Sequence, residues 1–188
     1  MCKENLEHGL HHVLSPDGYD HLLFLIALFV AFAITDWKKI LLVLAAFTIG
    51  HGLTLLLAAL DITSFSHYWI AIFIPFTILM ASIQNLVRLS DKSQNRVSVF
   101  PLALSFGFIH GLGVSNDLTS LLGREADIIM PLFAFNLGIE IGQLCIIIVF
   151  MGIGYVLTGP GRIKQKYWIL GLSLLTAVLS AYLIYEHL

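Results

Sequence analysis

Long apolar runs alternate with short polar breaks along the whole chain. The pattern predicts six membrane spans, about 20–35, 39–60, 68–88, 98–113, 130–157 and 167–186. A helix needs about 20 apolar residues to cross a hydrocarbon core of roughly 30 Å. The fold expected is therefore all-α: a polytopic membrane protein, a bundle of about six transmembrane helices, forming one membrane domain over residues 1–188. The fourth span is the shortest and the fifth the longest, which predicts tilt or a break in both. Gly111, Gly113 and Asn116 predict an early end to the fourth, followed by a short surface helix over Leu118–Ile129. Ahead of the first span, Glu4–Leu14 predicts a brief amphipathic helix, stopped by the turn residues Ser15, Pro16 and Gly18. The first dozen residues hold no apolar core, so no signal peptide is expected within this chain.

Composition excludes a soluble alternative. Of 188 residues, 58% are hydrophobic and 12% charged, about half the roughly 25% charge of a soluble domain. A formal net charge of -2 offers no basic surface, and no nucleic-acid partner is expected. Cys2 sits in the N-terminal tail and Cys145 inside an apolar run, so the two are not expected to meet. Eight of the ten basic residues fall in three loops that share one side: Lys38 and Lys39; Arg88, Lys92 and Arg96; Arg162, Lys164 and Lys166. Only Lys3 and Arg124 lie opposite. By the positive-inside rule both termini are expected outside. Trp37, Tyr68, Trp69, Tyr167 and Trp168 read as interfacial belts rather than a binding box.

Ionisable groups within a bilayer cost roughly 2.5–3.5 kcal/mol each on insertion scales, and each calls for a reason. Here they are Asp20 and His21 at the start of the first span, His51 in the second, His110 in the fourth and Glu140 in the fifth. Counting from Lys39, Arg96 and Pro131 at about 1.5 Å per residue, all five fall in the outer half at overlapping depths. Two of them share a setting. Phe47-Thr48-Ile49-Gly50-His51-Gly52-Leu53 and Phe106-Gly107-Phe108-Ile109-His110-Gly111-Leu112 both read F-x-x-x-H-G-L, on spans running the same way. Asn136, Glu140 and Gln143 follow at i, i+4 and i+7, a polar stripe on one face of an otherwise apolar helix.

Imidazole and carboxylate at one depth form the ligand set of a divalent transition metal, with Zn, Ni, Co, Cu and Fe all suited. Thr48, Ser105, Asn136 and Gln143 are candidates for orienting the ligands. His8, His11 and His12 read as a solvated tail, although His12 lies close enough to join the site. Plainer roles compete: a lone intramembrane histidine also serves as a donor between helices, and Asp20 also suits a helix cap. Gln84 and Asn85 read as glue between helices rather than as a pathway.

These residues also carry a resemblance. Gly9-Leu10-His11-His12, followed by Gly18-Tyr19-Asp20-His21-Leu22-Leu23-Phe24, resembles the opening signature of the HupE/UreJ family of membrane proteins. The segments around His51 and His110, and Phe135-Asn136-Leu137-Gly138-Ile139-Glu140-Ile141-Gly142-Gln143, are similar to its later motifs, closest to the second subgroup and over nearly the whole chain. Ser15-Pro16-Asp17-Gly18 lengthens the turn before Asp20, and the HP-x-x-G-x-D-H form of the first subgroup is not matched closely. The resemblance implies a secondary nickel or cobalt permease of a bacterial-type inner (plasma) membrane. It also implies that His12, Asp20, His21, His51, His110 and Glu140 are the metal-site positions.

Two functions fit this pattern. The first is a permease that takes a divalent metal ion (Ni, Co or Zn) from the outer side, with the lipid bilayer as its setting. A homo-oligomer or an accessory-protein partner is left open, and no nucleotide motif is present in the chain. The alternative is an intramembrane zinc-dependent hydrolase acting on a lipid or small substrate, using a metal-activated hydroxide. Below Glu140 the fifth span is nearly all apolar from Cys145 to Gly154, which is unfavourable to transport along that helix. The eight-to-two asymmetry of basic residues makes topology testable. A reporter fused after Leu188 is expected to read out from the outer side, and a cytoplasmic signal there contradicts the orientation.

Overall fold

The computed structural model describes residues 2–15, 18–60, 62, 66–90, 99–122, 129–159 and 162–188, with backbone alone for 90 and 115–122. Among the described residues the chain forms α-helices and no strand. In order they are α1 (Cys2–Leu14), α2 (Tyr19–Phe29), α3 (Trp37–Ala59), α4 (His67–Ser90), α5 (Val99–Leu122), α6 (Ile129–Thr158) and α7 (Gln165–Glu186), with a 3₁₀ turn over Ile34–Asp36.

Four segments are long and apolar enough to cross a membrane: Ile34–Ala59, His67–Leu89, Ile129–Thr158 and Gln165–Glu186. The other two expected spans are shorter apolar helices, Tyr19–Phe29 and Val99–Val114. The 11 residues of α2 extend only about 17 Å at a rise of about 1.5 Å per residue.

Helix α1 packs lengthwise on α6. Gly9 abuts the backbone of Phe135 and Ile139, Gly138 abuts Leu6 and Leu10, and Gly142 meets Val13. Residue numbers rise together along both helices, so the two run parallel. Helix α2 then continues in the same direction, and its end at Phe29 and Val30 lines one cavity with Phe150, Met151 and Gly154 of α6. Together α1 and α2 follow α6 as one line with a break in it. At the break the Ser15 amide donates to His11 O (2.8 Å) and the Gly18 amide to Ser15 O (3.0 Å). A Cβ on Gly18 would collide with the His12 carbonyl, so this turn needs glycine.

A second close pair forms between α3 and α5. A Cβ on Gly107 would strike the Phe47 backbone, one on Gly50 the Leu104 carbonyl, and one on Gly111 the backbone of His51 at 2.7 Å. These helices are also parallel, which sets the two F-x-x-x-H-G-L segments side by side. Small residues let helix backbones approach where lipid gives no hydrophobic drive between helices. Across the contact, the Thr54 hydroxyl lies 3.0 Å from Phe108 O.

The same role explains two departures from expectation. Gly111 and Gly113 do not end α5, which continues to Leu122. They serve contact instead, Gly111 against His51 and Thr54, Gly113 against Ile74. Leu118–Leu122 thus belongs to α5, and 123–128 lie outside the described residues, as do Lys92, Arg96 and Arg124. Helix α6 runs unbroken for 30 residues.

Polar ties complete the bundle. Helix α7 buries Ser173, Thr176 and Ser180, a stripe at i, i+3 and i+7, and Thr176 Oγ1 lies 2.7 Å from Ser82 Oγ of α4. Asn85 Nδ2 donates to Ala27 O at 2.6 Å, joining α4 to α2. One apolar cluster holds Phe24, Phe29, Phe47, Ile78, Phe106 and Ile147. The other holds Val13, Leu55, Val114, Leu132, Phe135 and Ile139. Cys2 and Cys145 are both free and exposed.

The α1–α6 contact predicts a sharp contrast on one helix. Gly138→Leu is expected to destabilise the fold by about 1–3 kcal/mol through overpacking. Gly152, whose added Cβ meets nothing within 4 Å, is expected to accept alanine with a gain of up to about 1 kcal/mol. Thermal unfolding in detergent measures both, and equal effects contradict the packing argument.

Candidate metal centre

The histidines gather between the two apolar clusters. His21, in the first turn of α2, stands at the centre with 2% of its surface exposed. Its ring centroid lies 4.9 Å from His12 at the end of α1, 5.7 Å from His110 on α5 and 6.3 Å from His51 on α3. Residues up to 98 positions apart in sequence therefore meet within one shell. His51 and His110 are 0% and 1% exposed, and His12 is half-buried.

Each of the three deepest rings has one nitrogen held and the other buried without a partner. His21 Nδ1 lies 2.8 Å from Asp20 Oδ1, and a carboxylate accepts only, so this nitrogen donates. The same oxygen accepts the His21 backbone amide at 2.7 Å. Asp20 is thus not the cap residue of α2, which is Gly18. Its carboxylate instead satisfies an unpaired amide of the first turn while orienting the imidazole. His51 Nδ1 lies 3.4 Å from Asn136 Oδ1, a long contact, and Asn136 Nδ2 donates to Leu132 O at 3.1 Å, which turns the amide oxygen toward the ring. His110 Nε2 lies 2.9 Å from Thr77 Oγ1 on α4. The remaining atoms, His21 Nε2, His51 Nε2 and His110 Nδ1, are buried with no hydrogen-bond partner. A polar atom buried this way costs about 1–3 kcal/mol. Three such atoms lie in one cluster.

Aromatic rings close the side toward the ends of α2 and α6. Phe24 lies 4.5 Å from His110 and 4.8 Å from Phe47. Phe47 lies 5.4 Å from His110, and Phe106 5.7 Å from Phe24.

The HupE / UreJ protein family model matches residues 1–187. The chain belongs to that family. No curated protein and no solved structure matches it. The HupE/UreJ family is associated with nickel and cobalt transport, which agrees with a nitrogen-rich cluster in a membrane protein.

Not every candidate of this HupE/UreJ chain reaches the cluster. Glu140 is half-buried on α6, one turn from Asn136 on the same face, and makes no hydrogen bond or ion pair among the described residues. No group of three or more His, Cys, Asp or Glu is drawn into a ligating arrangement among the described residues: the rings meet edge to face rather than aiming at one point. Asp20 and His21 lie beyond the end of α1, with His21 against His12, His51 and His110. Of the candidate orienting residues, Asn136 contacts His51. Ser105 is exposed and bonds Pro101 O at 2.9 Å. Gln143 is fully buried with both amide atoms unpartnered, and the Thr48 hydroxyl is likewise buried and unpartnered. His8 and His11 are exposed, as expected.

Sequence reasoning missed Thr77, since a single threonine in an apolar helix reads as a backbone-bonded spacer. The phenylalanine floor had a readable signal. Phe47 and Phe106 stand four residues before His51 and His110, on the same helix face.

Proposed function

We propose that this chain binds a divalent transition-metal ion, nickel or cobalt by family association, at the histidine cluster and carries it across the membrane as a secondary permease. The observation that carries the reading is the set of three buried imidazole nitrogens, on three different helices, each left open while the opposite nitrogen of its ring is held. Such outer hydrogen bonds fix ring orientation and raise ligand basicity at metal sites. His21, His51 and His110 replace water around the ion, and His12 adds a fourth imidazole at the end of α1. Asp20 and Glu140 bring carboxylates that offset the charge of the cation in a medium of low dielectric.

In this reading six crossings span a bacterial-type inner membrane with both termini outside, the first crossing being made by α1 and α2 in series. Discontinuous helices with a site at the break recur in secondary transporters. Polarity on the far side of the aromatic floor comes from helices other than α6: Ser82 and Asn85 of α4 and Ser173 and Thr176 of α7 are all buried. A membrane potential supplies roughly 2.3 kcal/mol per charge per 100 mV for inward movement.

Metal uptake into proteoliposomes tests transport directly. Accumulation of nickel or cobalt inside sealed vesicles supports it, and metal binding without uptake favours the hydrolase. Ligands acting on one centre are not additive, so His51→Ala, His110→Ala and the double variant are expected to lose metal to a similar degree. Glu140→Gln keeps the shape and deletes the charge, and full metal retention in that variant removes Glu140 from the site. Imidazole must be deprotonated to ligate. Affinity is therefore expected to be steady at neutral pH and to fall once acid protonates the ligating rings. Metal that stays fully bound through acid titration of the folded protein contradicts ligation by histidine.

A further inference from the structure

Thr77 is the one hydroxyl group in contact with the ring of His110 among the described residues, and it lies on a helix that carries none of the four clustered histidines. Its side chain is 1% exposed. Its oxygen sits 2.7 Å from Ile74 O, three residues back on α4, and 2.9 Å from His110 Nε2. A hydroxyl has one proton and two lone pairs. The carbonyl of Ile74 can only accept, so the Thr77 proton is committed there. What Thr77 offers His110 is a lone pair. Nε2 must then carry the hydrogen, because two lone pairs facing each other at 2.9 Å repel.

We propose that Thr77 is a positioning residue that commits His110 to the Nε2–H tautomer, so that this ring meets the cargo ion through Nδ1. His21 and His51 do the reverse, since Asp20 and Asn136 hold their Nδ1 atoms and leave Nε2 open. The donor set is mixed, two Nε2 and one Nδ1. That mixture follows from which neighbour each helix supplies: a carboxylate, an amide oxygen and a hydroxyl oxygen. Nδ1 is attached one bond nearer the main chain than Nε2, so His110 holds an ion closer to its own helix than His21 or His51 does. Phe24 and Phe47, 4.5 and 5.4 Å from the His110 ring, pack against it and oppose a ring flip that would exchange the two nitrogens.

The role rests on the reading of the cluster as a metal site, but its first test does not involve metal. Nitrogen-15 NMR of the metal-free, histidine-labelled protein in detergent is recorded near pH 8, above the ordinary imidazole value of about 6.5. The His110 signals are identified by their loss in His110→Gln. Wild type is expected to show a protonated Nε2 and an unprotonated Nδ1 at His110, with the opposite pattern at His21. A protonated Nδ1 at His110 overturns the proposal whatever the protein binds. Thr77→Val removes the acceptor and is expected to shift His110 toward a mixture of tautomers, whereas Thr77→Ser restores the single one. Nickel titration then follows the tautomer. Thr77→Val is expected to weaken binding about tenfold or more, the usual effect of losing an outer partner, and Thr77→Ser to stay within about threefold of wild type. If Thr77→Val lowers the melting temperature while His110 keeps its tautomer, the threonine only packs and the proposal fails. Absence of nickel binding by wild type would instead remove the metal reading and leave the NMR result to decide the tautomer.

Discussion

Where Gly107 meets the backbone of Phe47 and His51, helices α3 and α5 come closer than any side chain would allow, and the placement of His51 and His110 follows from that line. In lipid, nothing hydrophobic drives one apolar helix onto another, so contact depends on fit and on polar ties. Glycine on both helices provides the fit, and Thr54 reaching Phe108 O provides a tie. The Gly9–Gly138 contact repeats the device between α1 and α6. The result is two parallel helix pairs, and the cluster forms where their histidines meet His21 of α2.

This arrangement leaves the buried imidazoles in an unusual condition. Buried polar groups in membrane proteins are nearly always paired, because no water is present to substitute. The hydroxyls of Ser82, Thr176 and Ser180 obey that rule by bonding carbonyls three or four residues back on their own helices. The three inner histidines obey it on one side of each ring only. In the proposed function, a metal ion that accepts the open lone pairs offsets the cost of burying them unpaired.

Much of this was legible in the chain. Apolar run lengths gave the helices, and the shared depth of His51 and His110, with the phenylalanine one turn before each, pointed to one site. Asn136 was found because it lies on a stripe with two other polar residues. Thr77 was not, because its importance comes from a neighbour 33 positions away, which no local pattern records. The helix over α1 was expected, but its partner was not legible for a related reason. Its residues form a weakly apolar, amphipathic stretch, and only the glycines of α6 reveal that its apolar side has a partner inside the bundle. Glycine itself was ambiguous: Gly111 and Gly113 carry the same letters as a helix stop, yet here they permit contact. Composition distinguishes those roles only when the opposing helix is known.

The union of α1 with α6 also constrains how the protein is made. At 13 residues, α1 is too short to cross a core of roughly 30 Å by itself, and the surface that receives it lies 129 positions later, at Gly138 for Gly9. Helix α1 therefore has no surface to dock on until α6 has been synthesised. Only then does it dock, carrying His12 to the cluster. The contact that brings His12 beside His21 thus closes across 129 positions of sequence, between Gly9 and Gly138.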